Sequence, residues 1–218
     1  MHQATMRRAL ELAASVRATT SPNPWVGCVI DPGAFEGATQ PPGGPHAELV
    51  ALERAGDAAR GATMVVTLEP CAHHGRTPPC VDAILAAGVA KVVVGVEDPD
   101  PNVQGRGIAR LRQAGVEVEV GVCADEVRAQ LAPYLKHRST GRPWVVLKLA
   151  ASADGRTAAP DGSSRWITGE AARADAHRLR AESDAVIVGA GTVRADDPEL
   201  TVRAAEGRDP LRVVLGKA

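Results

Sequence analysis

Two α/β units in tandem are predicted for this 218-residue chain. Strand-like and helix-like runs alternate over residues 60–120, which calls for strands covered by helices and at least partly parallel. The pattern then restarts: polar, basic Lys136–Pro143 is followed by the apolar run Trp144–Ala151, so the boundary is expected there, giving units 1–140 and 141–218. A hydrophobic fraction of 44% with only three Trp, one Tyr and one Phe means that the cores are aliphatic, built from Val, Leu, Ile and Ala.

Met6, Ala9, Leu10, Ala13 and Val16 recur at helical spacing, predicting an amphipathic helix over Met6–Ala18 that Pro22 and Pro24 then stop. Trp25–Ile30 is a short apolar run between breakers and reads as a strand, with Ala34–Thr39 as a weak second one. Gly27 inside the first strand implies a close backbone approach. Leu49, Val50, Leu52 and Ala55 mark a helix from Ala47 to about Ala59, so His46 stands at its start and Glu48 in its first turn. Met64–Leu68 is a β-branched core strand, Val81–Ala87 a helix closed by Gly88, and Val89–Val96 the next strand. Ile108–Ala114 then reads as helix and Val116–Val120 as strand. Asp125–His137 is helical with Pro133 as an interruption. In the second half Trp144–Ala151 reads as a buried strand, Gly162–Gly169 as a loop and Ala171–Ala181 as a helix; Ala185–Gly189 and a run from Arg212 to Leu215 read as strands.

Charge and cysteine usage narrow the function classes. Lys plus Arg is 25 against 26 for Asp plus Glu, a formal net charge of -1, so no single-sign field recommends a nucleic acid or a membrane as partner. No apolar run reaches about 18 residues and no basic-then-apolar leader opens the chain, which leads to a cytoplasmic assignment. Four scattered cysteines, Cys28, Cys71, Cys80 and Cys123, are too few to staple a chain of this size; in a reducing compartment they remain thiols.

Among these thiols a metal site is legible. His46, Cys71 and Cys80 are one ligand short of a closed tetrahedral zinc site, the number a catalytic zinc uses when it leaves a corner open for water. Glu48, two residues from the histidine, is placed to move that water's proton during addition to an amidine-like ring carbon. Other readings stand beside these. Glu48 also suits the positive end of a helix dipole. The eight residues between Cys71 and Cys80 exceed the spacing of common zinc pairs. Asn23, before the first strand, is either an amide for a heterocyclic base or a turn residue beside proline.

The run Thr67-Leu-Glu-Pro-Cys71-Ala-His-His-Gly-Arg-Thr-Pro-Pro-Cys80, preceded by Thr20-Ser-Pro-Asn-Pro-Trp-Val-Gly27 and Pro45-His-Ala-Glu48, resembles the bacterial bifunctional riboflavin-biosynthesis deaminase/reductases. The wide cysteine spacing is a trait of that family. The resemblance implies a cytidine-deaminase-like three-layer α/β/α domain followed by an incomplete dihydrofolate-reductase-like α/β domain. It also implies zinc on His46, Cys71 and Cys80, proton shuttling by Glu48, and a phosphoribosylated diaminopyrimidine substrate that loses its 2-amino group. Substrate contacts carried over are Asn23, His73, His74, Arg76 and Asp98, the last towards ribose hydroxyls. Three positions depart from the family pattern: Arg76 where Lys is frequent, Asp100 where Asn is usual, and Thr39 where some relatives have His. Asp100 would repel a phosphate unless it faces away.

Taken bare, the second half offers little chemistry: Gly189-Ala-Gly191 after a strand is not a dinucleotide fingerprint. Leu147–Gly155, Ser164–Thr168 and Gly191–Pro198 resemble the family's NADPH-dependent reductase domain. That resemblance implies cofactor contacts from Ala150, Trp166, Thr192 and Asp196, and substrate contacts from Ser164, Arg180, Leu200 and Arg203. Relatives continue well beyond this length and include a Glu-Gly-Gly segment with no equivalent here. The chain is then either a fragment or diverged from reductase use, and exposed strand edges and apolar side chains are expected in its second unit. A homo-oligomer is expected by the same resemblance.

Overall fold

The structure, a computed structural model, describes residues 2–73 and 78–217. Contacts divide the chain into two compact units, one ending at Trp144 and the other beginning at Val145.

The first unit is built on a five-stranded sheet in the order β2-β1-β3-β4-β5, where β1 is Gly27–Asp31, β2 Phe35–Ala38, β3 Thr63–Leu68, β4 Lys91–Val96 and β5 Glu117–Val120. β1 and β2 form an antiparallel hairpin, and β1 also runs antiparallel to β3. The pairs β3–β4 and β4–β5 are parallel, with Leu68 opposite Val96. Those two parallel strands end together at the edge where the site lies. Both are buried on either face, which is why Met64–Val66 and Val92–Val94 read as unbroken apolar runs. Helix α1 (Gln3–Ser15) lies on β1 and β3 through Met6, Ala9, Leu10 and Ala13. Helix α2 (Ala47–Ala55), continued by a 3-10 turn Gly56–Ala59, packs on β1 and β2 and beside α3 (Cys80–Ala87). Helix α4 (Arg106–Gln113) precedes β5. The predicted helix over Asp125–His137 is two helices, α5 (Ala124–Gln130) and α6 (Ala132–Thr140), because Pro133 occupies the first turn of the second, where its missing N–H costs nothing.

Gly27 has a specific steric reason. A Cβ there would run into the backbone carbonyl of Ala9, so α1 sits directly against β1. Gly27→Ala is expected to lower stability by about 1–3 kcal/mol through forced separation of helix and strand, measurable as a lowered urea midpoint; an unchanged midpoint would contradict this packing.

The second unit holds α7 (Glu170–Ala181), β6 (Ala185–Gly189), α8 (Ala190–Asp196) and β7 (Leu211–Leu215), with β6 and β7 paired in parallel. One expectation is corrected here. Trp144–Ala151 is not a buried strand: the segment pairs with neither strand, and Val145 and Leu147 are 77% and 81% exposed. An apolar β-branched run makes a strand only where a partner edge satisfies its backbone and a second layer covers its side chains. The stretch after Gly189 is helix α8. Ile187, Leu211, Val214 and Leu215 are exposed as well, so this small sheet is open on its faces, as the resemblance led one to expect. No helix among the described residues is long and apolar enough to cross a membrane.

Candidate metal and active site

Three elements bring the predicted ligands together. His46 is the extended N-cap of α2, Cys80 is the first residue of α3, and Cys71 follows the end of β3 after Glu69-Pro70. Their ligand atoms all lie within 4.8 Å of one another. His46 Nδ1 is 3.2 Å from Cys80 Sγ and 3.7 Å from Cys71 Sγ, and the Cys80 backbone N–H donates to Cys71 Sγ at 3.4 Å. The Cys71 thiol is pulled down to about 4, chiefly by its hydrogen bond with Cys80, while that same hydrogen bond and then burial push Cys80 up. Two thiols in contact ionise together only beside a cation, and one imidazole with two sulfurs is a donor set that zinc takes, so the residues fit that metal.

Glu48 lies beside this cluster. It is 4% exposed in the first turn of α2, and the Cys80 thiol is its hydrogen-bonding neighbour. Burial raises its carboxyl above the usual range, opposed mainly by the His46 imidazole. The His46 imidazole is in turn raised by its hydrogen bond to Cys71, against burial. Cys28, buried in β1, stays a thiol because burial and then Glu48 oppose its ionisation. All four cysteines are free of disulfides.

Around the ligands, the predicted contacts fall unevenly. Asn23 is half-buried and its backbone N–H donates to Thr20 O at 2.9 Å. His73 is exposed, and His74 and Arg76 lie outside the described residues. Asp98 is buried beyond the end of β4, and both of its carboxylate oxygens accept from the Tyr134 hydroxyl, at 3.2 and 2.9 Å. Burial raises the Asp98 carboxyl, while the Asp100 N–H and the Tyr134 hydroxyl oppose that. Thr39, buried, accepts from Val26 N–H at 3.1 Å through Oγ1, and Thr67 Oγ1 accepts from Gly27 N–H at 3.2 Å. The two hydroxyls therefore hold the start of β1, just after Asn23.

Glu69 was not singled out by the sequence, although it lies inside the cysteine motif. Its carboxylate, 4% exposed, accepts four backbone N–H groups: Asp98 at 3.2 Å, Gly105 at 3.0 Å, Gly107 at 2.9 Å and Ile108 at 3.1 Å. It thereby ties the loop after β4 and the N-terminus of α4 to the turn carrying Cys71. Gly107 completes the joint, since a Cβ there would meet the Pro70 carbonyl oxygen. Burial raises the Glu69 carboxyl, and the backbone N–H groups oppose that shift. A buried Glu before Pro-Cys was the available signal; four scattered backbone donors leave no trace in side-chain types. Tyr134, the only tyrosine, was likewise legible only as a helical residue.

In the second unit Ser164 and Trp166 come together. They line a cavity of about 290 Å³ with Ser152, Arg156 and Arg165, and Arg173 lies over the Trp166 ring at 4.5 Å. Arg180 and Arg203 meet at His177: Arg180 Nη1 and the Arg203 backbone N–H are each 3.3 Å from His177 Nδ1. Thr192 and Asp196 are both on α8 and exposed, Leu200 has φ of 58°, and Ala150 is half-buried. None of Ala150, Arg180, Thr192, Asp196, Leu200 and Arg203 lines the cavity that holds Ser164 and Trp166.

Comparison with known proteins agrees with this arrangement. The family described as the cytidine and deoxycytidylate deaminase zinc-binding region matches residues 1–96, and the RibD C-terminal domain matches residues 143–218. Riboflavin biosynthesis protein RibD of Escherichia coli K12 is 54% identical over 226 residues, covering 96% of this chain and 62% of that protein. The protein so named from Mycobacterium tuberculosis H37Rv is 53% identical over 221 residues, covering 97% of this chain and 65% of that one. Among solved structures, Acinetobacter baumannii RibD superposes with a TM-score of 0.89 at 50% identity, covering 97% of this chain and 62% of that chain. A diaminohydroxyphosphoribosylaminopyrimidine deaminase/5-amino-6-(5-phosphoribosylamino)uracil reductase from Thermotoga maritima gives 0.91 at 44% identity, covering 98% and 62%. The chain thus spans less than two thirds of the length of these relatives. Matched by both domain families in their order and close to these proteins along nearly all of its own length, the chain belongs to the bacterial RibD family.

Proposed function

We propose that this chain carries out zinc-dependent hydrolytic deamination of 2,5-diamino-6-(5-phosphoribosylamino)pyrimidin-4(3H)-one, a step of riboflavin biosynthesis. The observation that carries the reading is the convergence of His46, Cys71 and Cys80 around a position beside the buried Glu48. When bound, zinc supplies Lewis acidity that brings the pKa of a water towards about 7. Glu48 takes a proton from the attacking water and delivers it to the ring nitrogen, then passes the second to the departing amine. Water thus adds at the amino-bearing ring carbon, the C–N bond breaks, and ammonia leaves as the carbonyl forms. Asn23 orients the pyrimidine, Asp98 meets the ribose, and His73, His74 and Arg76 meet the phosphate.

The match of residues 143–218 supports a second activity of the family: NADPH-dependent reduction of the product's ribose once that domain is complete. Ala150, Trp166, Thr192 and Asp196 would then face the cofactor, and Ser164, Arg180, Leu200 and Arg203 the substrate. The reading brings with it a cytoplasmic homo-oligomer with neither nucleic acid nor membrane as partner.

Incubating the chain with this substrate, with and without zinc chelation and NADPH, tests both activities. Chelator-sensitive ammonia release without NADPH oxidation is the expected result, because the apolar segment from Trp144 to Leu149 stands exposed rather than inside a reductase sheet. Release only from an unphosphorylated or different base would reassign the substrate. A metal-bound chain that releases none would favour a zinc-containing assembly module.

A further inference from the structure

The loop after β4 carries three carboxylates, exposed Glu97 and buried Asp98 and Asp100, at the sheet edge where β3 delivers Cys71. A substrate bearing a phosphate approaches that edge under the proposed function, so the two buried negative charges there, left unbalanced and screened less than exposed Glu97, would oppose it. The structure shows how one of them is balanced. Arg138, on α6, places Nη1 3.3 Å from Asp100 Oδ2. Its guanidinium lies over the Tyr134 ring, 5.4 Å from the centroid, and Tyr134 in turn donates to Asp98. The rest of Asp100 is also engaged: Oδ1 accepts from Asn102 N at 2.9 Å and Asn102 Nδ2 at 3.0 Å, while its own N–H donates to Asp98 Oδ1 at 2.9 Å.

This network is more than a surface ion pair. The Asp100 side chain is only 12% exposed and that of Arg138 37%, so water screens the pair less than it does an open one. Nothing about Arg138 in the sequence suggests such a role, since it sits in a polar, basic stretch next to the boundary. The fold puts α6 beside the loop after β4 and makes Arg138 the counter-charge for that loop.

We propose that Arg138 is a specificity-determining residue of the deaminase site, neutralising Asp100 so that an anionic, phosphate-bearing substrate can bind beside Asp98. The inference rests on the deaminase reading and adds to it the residue that sets charge tolerance. The charge of Asp100 is thereby met within the protein.

The test is steady-state ammonia release from the phosphorylated diaminopyrimidine and its dephosphorylated counterpart, using the full chain with zinc. Arg138→Ala is expected to raise KM for the phosphorylated compound about five- to tenfold with kcat little changed, and to do so less at high salt. KM for the dephosphorylated compound should move by less than about twofold, because no phosphate meets the uncovered charge. Adding Asp100→Asn to Arg138→Ala should restore the phosphorylated-substrate KM, a rescue that a merely structural role for Arg138 would not show. Equal losses on both compounds, no change in KM, or no rescue by the double variant would overturn the proposal while leaving the deaminase reading intact. A wild-type chain that releases ammonia from neither compound would overturn both.

Discussion

Glu48→Gln is expected to abolish ammonia release, by at least about a hundredfold in kcat, while zinc content and fold remain those of the wild type. The substitution keeps shape and burial in the first turn of α2 but removes the group that accepts and returns a proton. His46, Cys71 and Cys80 are untouched, so metal analysis should give wild-type stoichiometry. Stability should hold or rise slightly, since burial disfavours the ionised carboxylate at this position. Undiminished turnover by a zinc-loaded Glu48→Gln chain would remove the carboxylate from the mechanism. Loss of zinc together with activity would instead show that Glu48 supports the ligands.

The largest stability effect is expected at Glu69. Glu69→Leu leaves four backbone N–H groups, those of Asp98, Gly105, Gly107 and Ile108, without their acceptor in a joint that excludes water. Backbone donors buried without partners each carry a desolvation cost, and partial relaxation brings the expected loss to about 3–5 kcal/mol. Glu69→Gln should lose less, because its amide oxygen still serves the two donors that face one carboxylate oxygen. Urea unfolding of the two variants would show the order. A loss below about 1 kcal/mol for Leu would mean that the α4 N-terminus rehydrates instead of depending on Glu69. A Glu69 variant that folds should also weaken substrate binding more than zinc binding, since the loop it ties down carries Asp98.

Much of the first unit was legible before any coordinates. Its strands and helices follow from apolar periodicity and from breakers such as Pro22, Gly88 and Pro133, and such local signals survive because each element buries one face on a common sheet. The cluster of His46, Cys71 and Cys80 was legible for a different reason: few residue types can bind zinc, and the wide cysteine spacing becomes informative only through family resemblance. In the second unit the same reasoning failed at Trp144–Ala151, where a strand-like composition has no paired edge to complete it.

Residue types and their order alone determined the alternating architecture and the His46, Cys71 and Cys80 cluster with a carboxylate beside it, since those depend on chemistry that individual side chains own. Only the tertiary structure decided that Glu69 staples the β4 loop to the Cys71 turn, that Tyr134 covers Asp98, and that Arg138 answers Asp100. Those contacts join residues far apart in the chain, and those of Glu69 involve backbone groups that every residue possesses. No local pattern could therefore announce them, and only the placing of the α4 N-terminus and of α6 beside the loop after β4 brings them within hydrogen-bonding reach.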